Sequence, residues 1–158
     1  MILDSLLLQA RLFLEEDMEI SILNSKQIDI SSPQKLVLKN RTSMIGTGGT
    51  LNIMLVISFE KNILSKLVEN FMEGEEIEDE ELDEIEDSVS GEVLNTIVGL
   101  SLPTFPNRGK GITITPPISV NDASSIYKHK DSKIICATVQ TEYGDIVISA
   151  VGSKDQIK

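Results

Sequence analysis

The chain has no tryptophan, a single cysteine, a single histidine and few aromatic residues. One cysteine, Cys136, excludes a disulfide within the chain and fits a reducing compartment. His129 lies between two lysines and lacks the partners that a zinc site requires. With aromatic residues at 4% and hydrophobic residues at 41%, the core must consist mostly of Ile, Leu and Val. Cys136, inside an apolar stretch, is expected to be a buried small residue.

Long apolar runs are also missing. None approaches the roughly 18 residues that a membrane-spanning helix needs. Residues 1–8 carry an acid, Asp4, and have no basic region of the kind that begins a signal peptide. The 158 residues fit one domain with a substantial core. We therefore expect a cytoplasmic protein with a single domain over residues 1–158, frayed at 1–3 and 152–158.

Positive charge is scarce, and the excess of negative charge is local. Eleven of the 25 acidic residues lie between Glu73 and Asp87, so the other 14 equal the 14 Lys and Arg residues in number. Phosphate contacts need clustered positive charge, which argues against a nucleic-acid or anionic-membrane partner. The acidic run is expected to begin as a solvated loop and to continue into a helix, whose positive end favours acids. A docking role for the run is the alternative.

Apolar spacing predicts an α+β protein with an antiparallel sheet. A hairpin turn is predicted at residues 142–145, and the glycines at 46, 48 and 49 predict a turn between antiparallel strands. Helices are predicted over residues 4–16 and 62–72, and strands over 27–31, 35–39, 51–59, 111–120, 133–141 and 146–151.

A third helical run, residues 88–100, carries a polar stripe on an otherwise apolar sequence. At about 100° per residue, Ser88, Glu92, Asn95 and Gly99 fall on one side, whereas Leu82, Val89, Val93 and Leu100 fall on another. Gly99 has no side chain, so another molecule can approach closely there. Pro103 and Pro106 predict that this helix ends near Leu102.

The order and spacing of these residues resemble the signature of the CheC and CheX chemotaxis phosphatases. The matching positions are Ser88, Gly91, Glu92, Asn95, Gly99 and the later pair Pro116-Pro117. The glycine segment 44–49, the apolar run after it and helix 62–72 also resemble the family, so the likeness covers most of the chain beyond its N-terminal helix. Because the Glu-x-x-Asn motif occurs once, the chain is more similar to CheX than to CheC.

The resemblance implies a fold of two related halves and a phosphatase acting on the aspartyl phosphate of a CheY-like response regulator, in chemotaxis or another two-component circuit. Asn95 would hydrogen-bond the attacking water, because an amide both donates and accepts and carries no charge to repel phosphate. Glu92 would bind the regulator's lysine. Partner-binding roles fall to Ser88, Gly91, Gly99, Pro116 and Pro117.

The same resemblance implies that this chain needs no metal ligands of its own. The divalent metal, magnesium by expectation, would be carried by the phosphorylated partner. CheX-like proteins form homodimers through their sheets, and strand edges between residues 27 and 50 or after Lys133 could serve here.

Two other functions are compatible with the sequence. One is a non-catalytic module of the same fold that binds a response regulator or a flagellar-switch component. The other is a small-molecule hydrolase in which Glu92 pairs with Glu84 or Asp87 as acid and base.

Overall fold

A computed structural model describes residues 2–23, 29–31, 33–120 and 124–157, with only the backbone described at 29–31. Three α-helices and nine β-strands follow one another along these ranges. The helices are α1 (Ile2–Leu12), extended by a π-helical turn (Phe13–Asp17), α2 (Lys61–Phe71) and α3 (Asp79–Ser101). The strands are β1 (Asp29–Ser31), β2 (Lys35–Val37), β3 (Arg41–Gly49), β4 (Ile53–Phe59), β5 (Ile112–Ile114), β6 (Ile118–Ser119), β7 (Ser125–Tyr127), β8 (Ser132–Thr141) and β9 (Gly144–Ser153).

Seven strands form one sheet whose described pairings are all antiparallel. Its order is β1-β8-β9-β4-β3, and β5 and β6 both pair with β3, at different places along it. A second, two-stranded sheet joins β2 to β7. The predicted α+β class with antiparallel pairing is confirmed. Since β3 and β9 have strands on both sides, neither offers the free edge that a sheet-to-sheet dimer would need.

The main sheet separates two apolar layers because alternate residues of a strand point to opposite faces. In β4, Leu55 and Ile57 pack in the layer that the three helices cover, whereas Val56 packs in a smaller layer. The small β2–β7 sheet contributes Leu36 to that second layer. Cys136 lies there too and is 8% exposed, as its apolar surroundings in the sequence predicted.

The helix predictions and most strand predictions hold with small shifts in their bounds, but the single strand predicted over 111–120 is two short strands, β5 and β6, and β7 was not predicted. The predicted end of the third helix near Leu102 is confirmed, because α3 ends at Ser101 and a 3-10 turn containing Pro103 follows. The acidic run begins outside the helix and supplies its first turn, Asp79 to Glu81, as expected. None of the helices in the described ranges combines the length and hydropathy of a membrane-spanning segment. Residues 27 and 28 of the first predicted strand lie outside the described residues.

The predicted glycine turn is wrong. Gly46, Gly48 and Gly49 belong to strand β3, and the chain turns only after them, at residues 50–52. These glycines let a second segment lie close to β3. A Cβ on Gly48 would stand 2.9 Å from the hydroxyl of Thr113, and the amide of Gly46 donates to the hydroxyl of Thr115 (2.9 Å).

The predicted fraying of residues 1–3 and 152–158 also differs from the structure. Ile2 and Leu3 begin α1 and are 7% and 6% exposed, so the start of the helix is held by core packing. Gly152 and the residue after it continue strand β9, and Ile157 is 4% exposed within the helix-side layer. The burial of apolar side chains explains why both of these segments are held against the core. Met1 and Lys158 lie outside the described residues, and the single domain stays a prediction.

Candidate functional site

Helix α3 presents the predicted polar stripe to solvent. Ser88, Glu92 and Gly99 are exposed and Asn95 is partly exposed. Val89, Val93, Leu94, Ile97 and Val98 are buried on the opposite side. The helix is therefore oriented by its apolar face, and that orientation turns the Glu-x-x-Asn pair outward. Leu82 and Leu100, expected on the apolar side, are instead 39% and 54% exposed, although Val98 and Ser101 in the last turn are buried.

The two glycines of the motif have different surroundings. Gly91 is buried, and a Cβ placed on it would lie 3.2 Å and 3.3 Å from two ring carbons of Pro117. Gly99 is open: apart from its own helix backbone and chain neighbours, none of the described residues has an atom within 4 Å of the corresponding position. Gly91 therefore allows the loop before β6 to pack against α3, and the partner contact that we expected of it stays a prediction. Gly99 leaves room for a partner beside Asn95.

An open pocket of about 360 Å³ lies beside Glu92. One wall belongs to α3 and the other to β3, Pro117 and β6. Pro117 is partly buried and lines this pocket, whereas Pro116 is exposed and is not among the lining residues. The lining residues are Ser43, Asp87, Ser88, Gly91, Glu92, Pro117, Ile118 and Ser119.

Two polar contacts fix α3 against strand β3. Arg41, at the start of β3, donates through Nη1 to Asp87 (2.8 Å) and through Nη2 to Asp83 (2.6 Å), and Nη2 lies 3.6 Å from Glu86. Two residues farther along the strand, the hydroxyls of Ser43 and Ser90 share a buried hydrogen bond of 2.7 Å. These contacts come one to three turns before Asn95.

The surroundings of Arg41 favour its charged form. Partial burial acts to lower the pKa of Arg41, but the hydrogen bonds and charges of Asp83 and Asp87 outweigh it, so the pKa is raised. The side chain is 16% exposed, against 82% for Asp83. Asp87 is thus paired with a cation. In the small-molecule hydrolase hypothesis, it is therefore not available as a free acid–base partner for Glu92.

Sequence reasoning missed Arg41 and Ser43. Their partners lie more than 40 residues away, and no local spacing indicates such a contact. The available signal was the acidic run itself, because eleven acids in fifteen residues favour a nearby cation. Within the described ranges, no three or more His, Cys, Asp or Glu side chains come together in the way that a metal site would require.

Comparison with known proteins agrees with this geometry. The family model described as chemotaxis phosphatase CheX matches residues 41–140, which include both the β3 anchor and the α3 stripe. No curated protein matches the sequence.

Solved structures of low sequence identity share the fold. A chemotaxis protein CheX from Desulfovibrio desulfuricans is 18% identical, with a TM-score of 0.76 over 94% of this chain and 97% of that one. A CheC-like superfamily protein from Shewanella sp. PV-4 is 19% identical, with a TM-score of 0.77 over 95% and 96%. A chain of the CheX–CheY–BeF₃–Mg²⁺ complex from Borrelia burgdorferi is 20% identical, with a TM-score of 0.68 over 96% and 97%. By its sequence match and its fold, this chain belongs to the chemotaxis phosphatase CheX family.

Proposed function

We propose that this protein hydrolyses the aspartyl phosphate of a CheY-like response regulator. The observation that carries the proposal is the outward stripe on α3, in which Glu92 and Asn95 lie one turn apart with open space at Gly99. A helix face of this kind can enter a partner's pocket, whereas a substrate-sized site for a small molecule would be more enclosed.

In this proposal Asn95 supplies position rather than charge. Its carboxamide accepts from the attacking water or donates to it, and holds that water in line with the phosphorus–oxygen bond that breaks. A carboxylate at the same place would be repelled by the phosphoryl oxygens. Phosphoryl transfer depends mainly on such positioning and on neutralising charge, so a single amide on a rigid helix is a sufficient contribution from this chain.

Glu92 would fix the two proteins in register. The structure gives its exposed carboxylate no hydrogen bond or ion pair with the described residues, so it is free to bind a lysine of the partner. The pocket beside it, rimmed by Pro117, would receive the partner's surface. The divalent metal of the reaction, Mg²⁺ in this proposal, would come with the phosphorylated partner.

The test is phosphate release from a phosphorylated, Mg²⁺-loaded receiver domain. Asn95→Ala should lower the release rate by about 100-fold or more, because the water loses its orienting group. Glu92→Ala should weaken the reaction mainly through a higher KM, because it removes a docking contact. Asn62→Ala, which changes an exposed asparagine on α2, is the matched control and should leave the rate unchanged.

Two results would contradict the proposal. If both site variants released phosphate as fast as the unmodified protein, the stripe would not be the active surface. A stable complex with the phosphorylated receiver and no acceleration by the unmodified protein would instead favour the non-catalytic binding module.

A further inference from the structure

The acidic first half of α3 raises an electrostatic difficulty for a phosphatase. Asp87 lines the same pocket as Glu92, and a dianionic phosphoryl group must approach Asn95 two turns farther along the helix. At such distances an uncompensated carboxylate on a protein surface opposes a phosphate by an appreciable energy. An acidic surface therefore disfavours binding of this substrate unless a nearby cation offsets its charge.

Arg41 provides that cation from the strand beneath. Its terminal nitrogens bind Asp87 and Asp83, which lie four residues apart and so share one face of the helix. Asp87, which lines the pocket, is therefore already paired with Arg41. Glu92 remains as the free carboxylate for the partner's lysine. A guanidinium can bind two carboxylates in a fixed geometry, which a lysine ammonium cannot do as well.

Arg41 is also placed to set the register of α3. It is the first residue of β3, where it pairs with Phe59 of β4. The next inward position on the same strand, Ser43, bonds Ser90 on α3. Two attachments, one charged and one hydroxyl, thus fix the helix along its axis just before the turn that carries Glu92.

We propose that Arg41 is a positioning residue of the phosphatase site, which holds α3 in register on β3 and neutralises Asp87, two turns before the Asn95 that the phosphoryl group approaches. This inference rests on the proposed function. Arg41 acts through Asp83 and Asp87 and makes no contact with substrate itself.

The first experiment compares kinetic constants for phosphate release from the phosphorylated, Mg²⁺-loaded receiver domain. Arg41→Gln should lower kcat by about tenfold, because both the placement of Asn95 and the local charge change. Arg41→Lys should retain more activity than Arg41→Gln, since it keeps the charge. Adding Asp87→Asn to Arg41→Gln should restore at least part of kcat by removing the carboxylate that Arg41 had paired.

Leu36→Ala is the matched control. Leu36 is buried on β2, in the smaller layer on the other face of the sheet, so this variant loses stability without touching the β3–α3 contact, and its kcat should equal that of the unmodified protein. A kcat for Arg41→Gln that is unchanged, or that Asp87→Asn does not raise, overturns the inference.

A second readout does not depend on activity. The NMR side-chain amide signal of Asn95, assigned by its loss in Asn95→Ala, should shift in Arg41→Gln and stay in place in Lys66→Gln. An unshifted signal overturns the positioning role even if the unmodified protein releases no phosphate. Absence of release by the unmodified protein, with the signal shifted, counts against the proposed function and leaves the structural role of Arg41 supported.

Discussion

At the scale of single residues, Gly91 and Gly99 show that one residue type serves two purposes on the same helix. At Gly91 any side chain would crowd the ring of Pro117, so packing within the protein requires glycine at this position. At Gly99 no side chain in the described part of the chain would meet an added Cβ, and the helix would gain stability from almost any other residue. In the proposed function, this space is left for the docking partner.

Gly99→Ala should therefore separate stability from function. The free energy of unfolding should rise by about 0.5 kcal/mol, because alanine loses less backbone entropy than glycine in a helix. Phosphate release from the phosphorylated receiver should fall, because the added methyl group meets the docking partner. Urea unfolding and the release assay, run on the same preparation, measure both effects. A variant that was more stable and fully active would show that no partner uses this space.

At the scale of elements, the start of β9 is joined to the start of α2 by paired backbone and side-chain contacts. The amide of Asp145 donates to a carboxylate oxygen of Glu60 (2.6 Å), and the amide of Glu60 donates to the carbonyl of Asp145 (3.0 Å). This arrangement places two acidic side chains near each other. Burial raises the pKa of Asp145, the charge of Glu60 raises it further, and Lys39 opposes the rise.

Asp145→Asn should stabilise the protein at neutral pH. Because folding raises the pKa of Asp145, its carboxyl group favours the folded state when protonated. That contribution is complete below the ordinary aspartate pKa of about 3.9 and is lost as the pH rises through the folded-state pKa. The variant should thus unfold at higher urea concentration than the unmodified protein at pH 7 and at an equal concentration near pH 3.

Asp131→Asn, on an exposed loop before β8, is the control for the loss of one negative charge. If it stabilised the protein at pH 7 as much as Asp145→Asn does, net charge rather than the local environment of Asp145 would be the cause.

At the scale of the whole molecule, the chain ends take part in the core. Ile2 and Leu3 at one end and Ile157 at the other join the layer between the helices and the main sheet. The isoleucine near the C-terminus comes within reach of Gly152, where an added Cβ would meet its side chain at 3.3 Å. The segment after β9 therefore folds back on the domain. A homodimer remains a prediction, to be tested by sedimentation.

Ile157→Ala should lower the free energy of unfolding by about 2 kcal/mol, because it removes buried methyl groups and leaves a cavity. Val37→Ala, at a position that is 58% exposed, should change it by less than about 0.5 kcal/mol. Urea unfolding monitored by circular dichroism measures both. Equal effects would mean that the C-terminal segment contributes no packing.

Local pattern was enough to predict the α+β class, the three helices, the hairpin before β9 and the outward stripe on α3. These features depend on periodicity and on proline, which act over a few residues. The acidic first turn of α3 followed from the same short-range logic, since the helix dipole favours acids there.

Contacts between distant parts of the chain needed the tertiary structure. The sequence predicts a turn at the glycines of β3, because it does not reveal that β5 and β6 pair with that strand. The sequence predicts that the final residues are frayed, because a single isoleucine in a polar segment shows neither helical nor strand periodicity. The sequence likewise does not reveal that Pro117 packs against Gly91.

The sequence by itself determined which helix carries the Glu-x-x-Asn pair and which of its faces is polar, because the apolar residues on the other face must be buried. Only the tertiary structure decided what holds that helix in place. Arg41 and Asp87 are 46 residues apart in the chain, and their contact arises from the packing of α3 on β3. Periodicity describes one element at a time, whereas the register between two elements depends on side chains that both contribute.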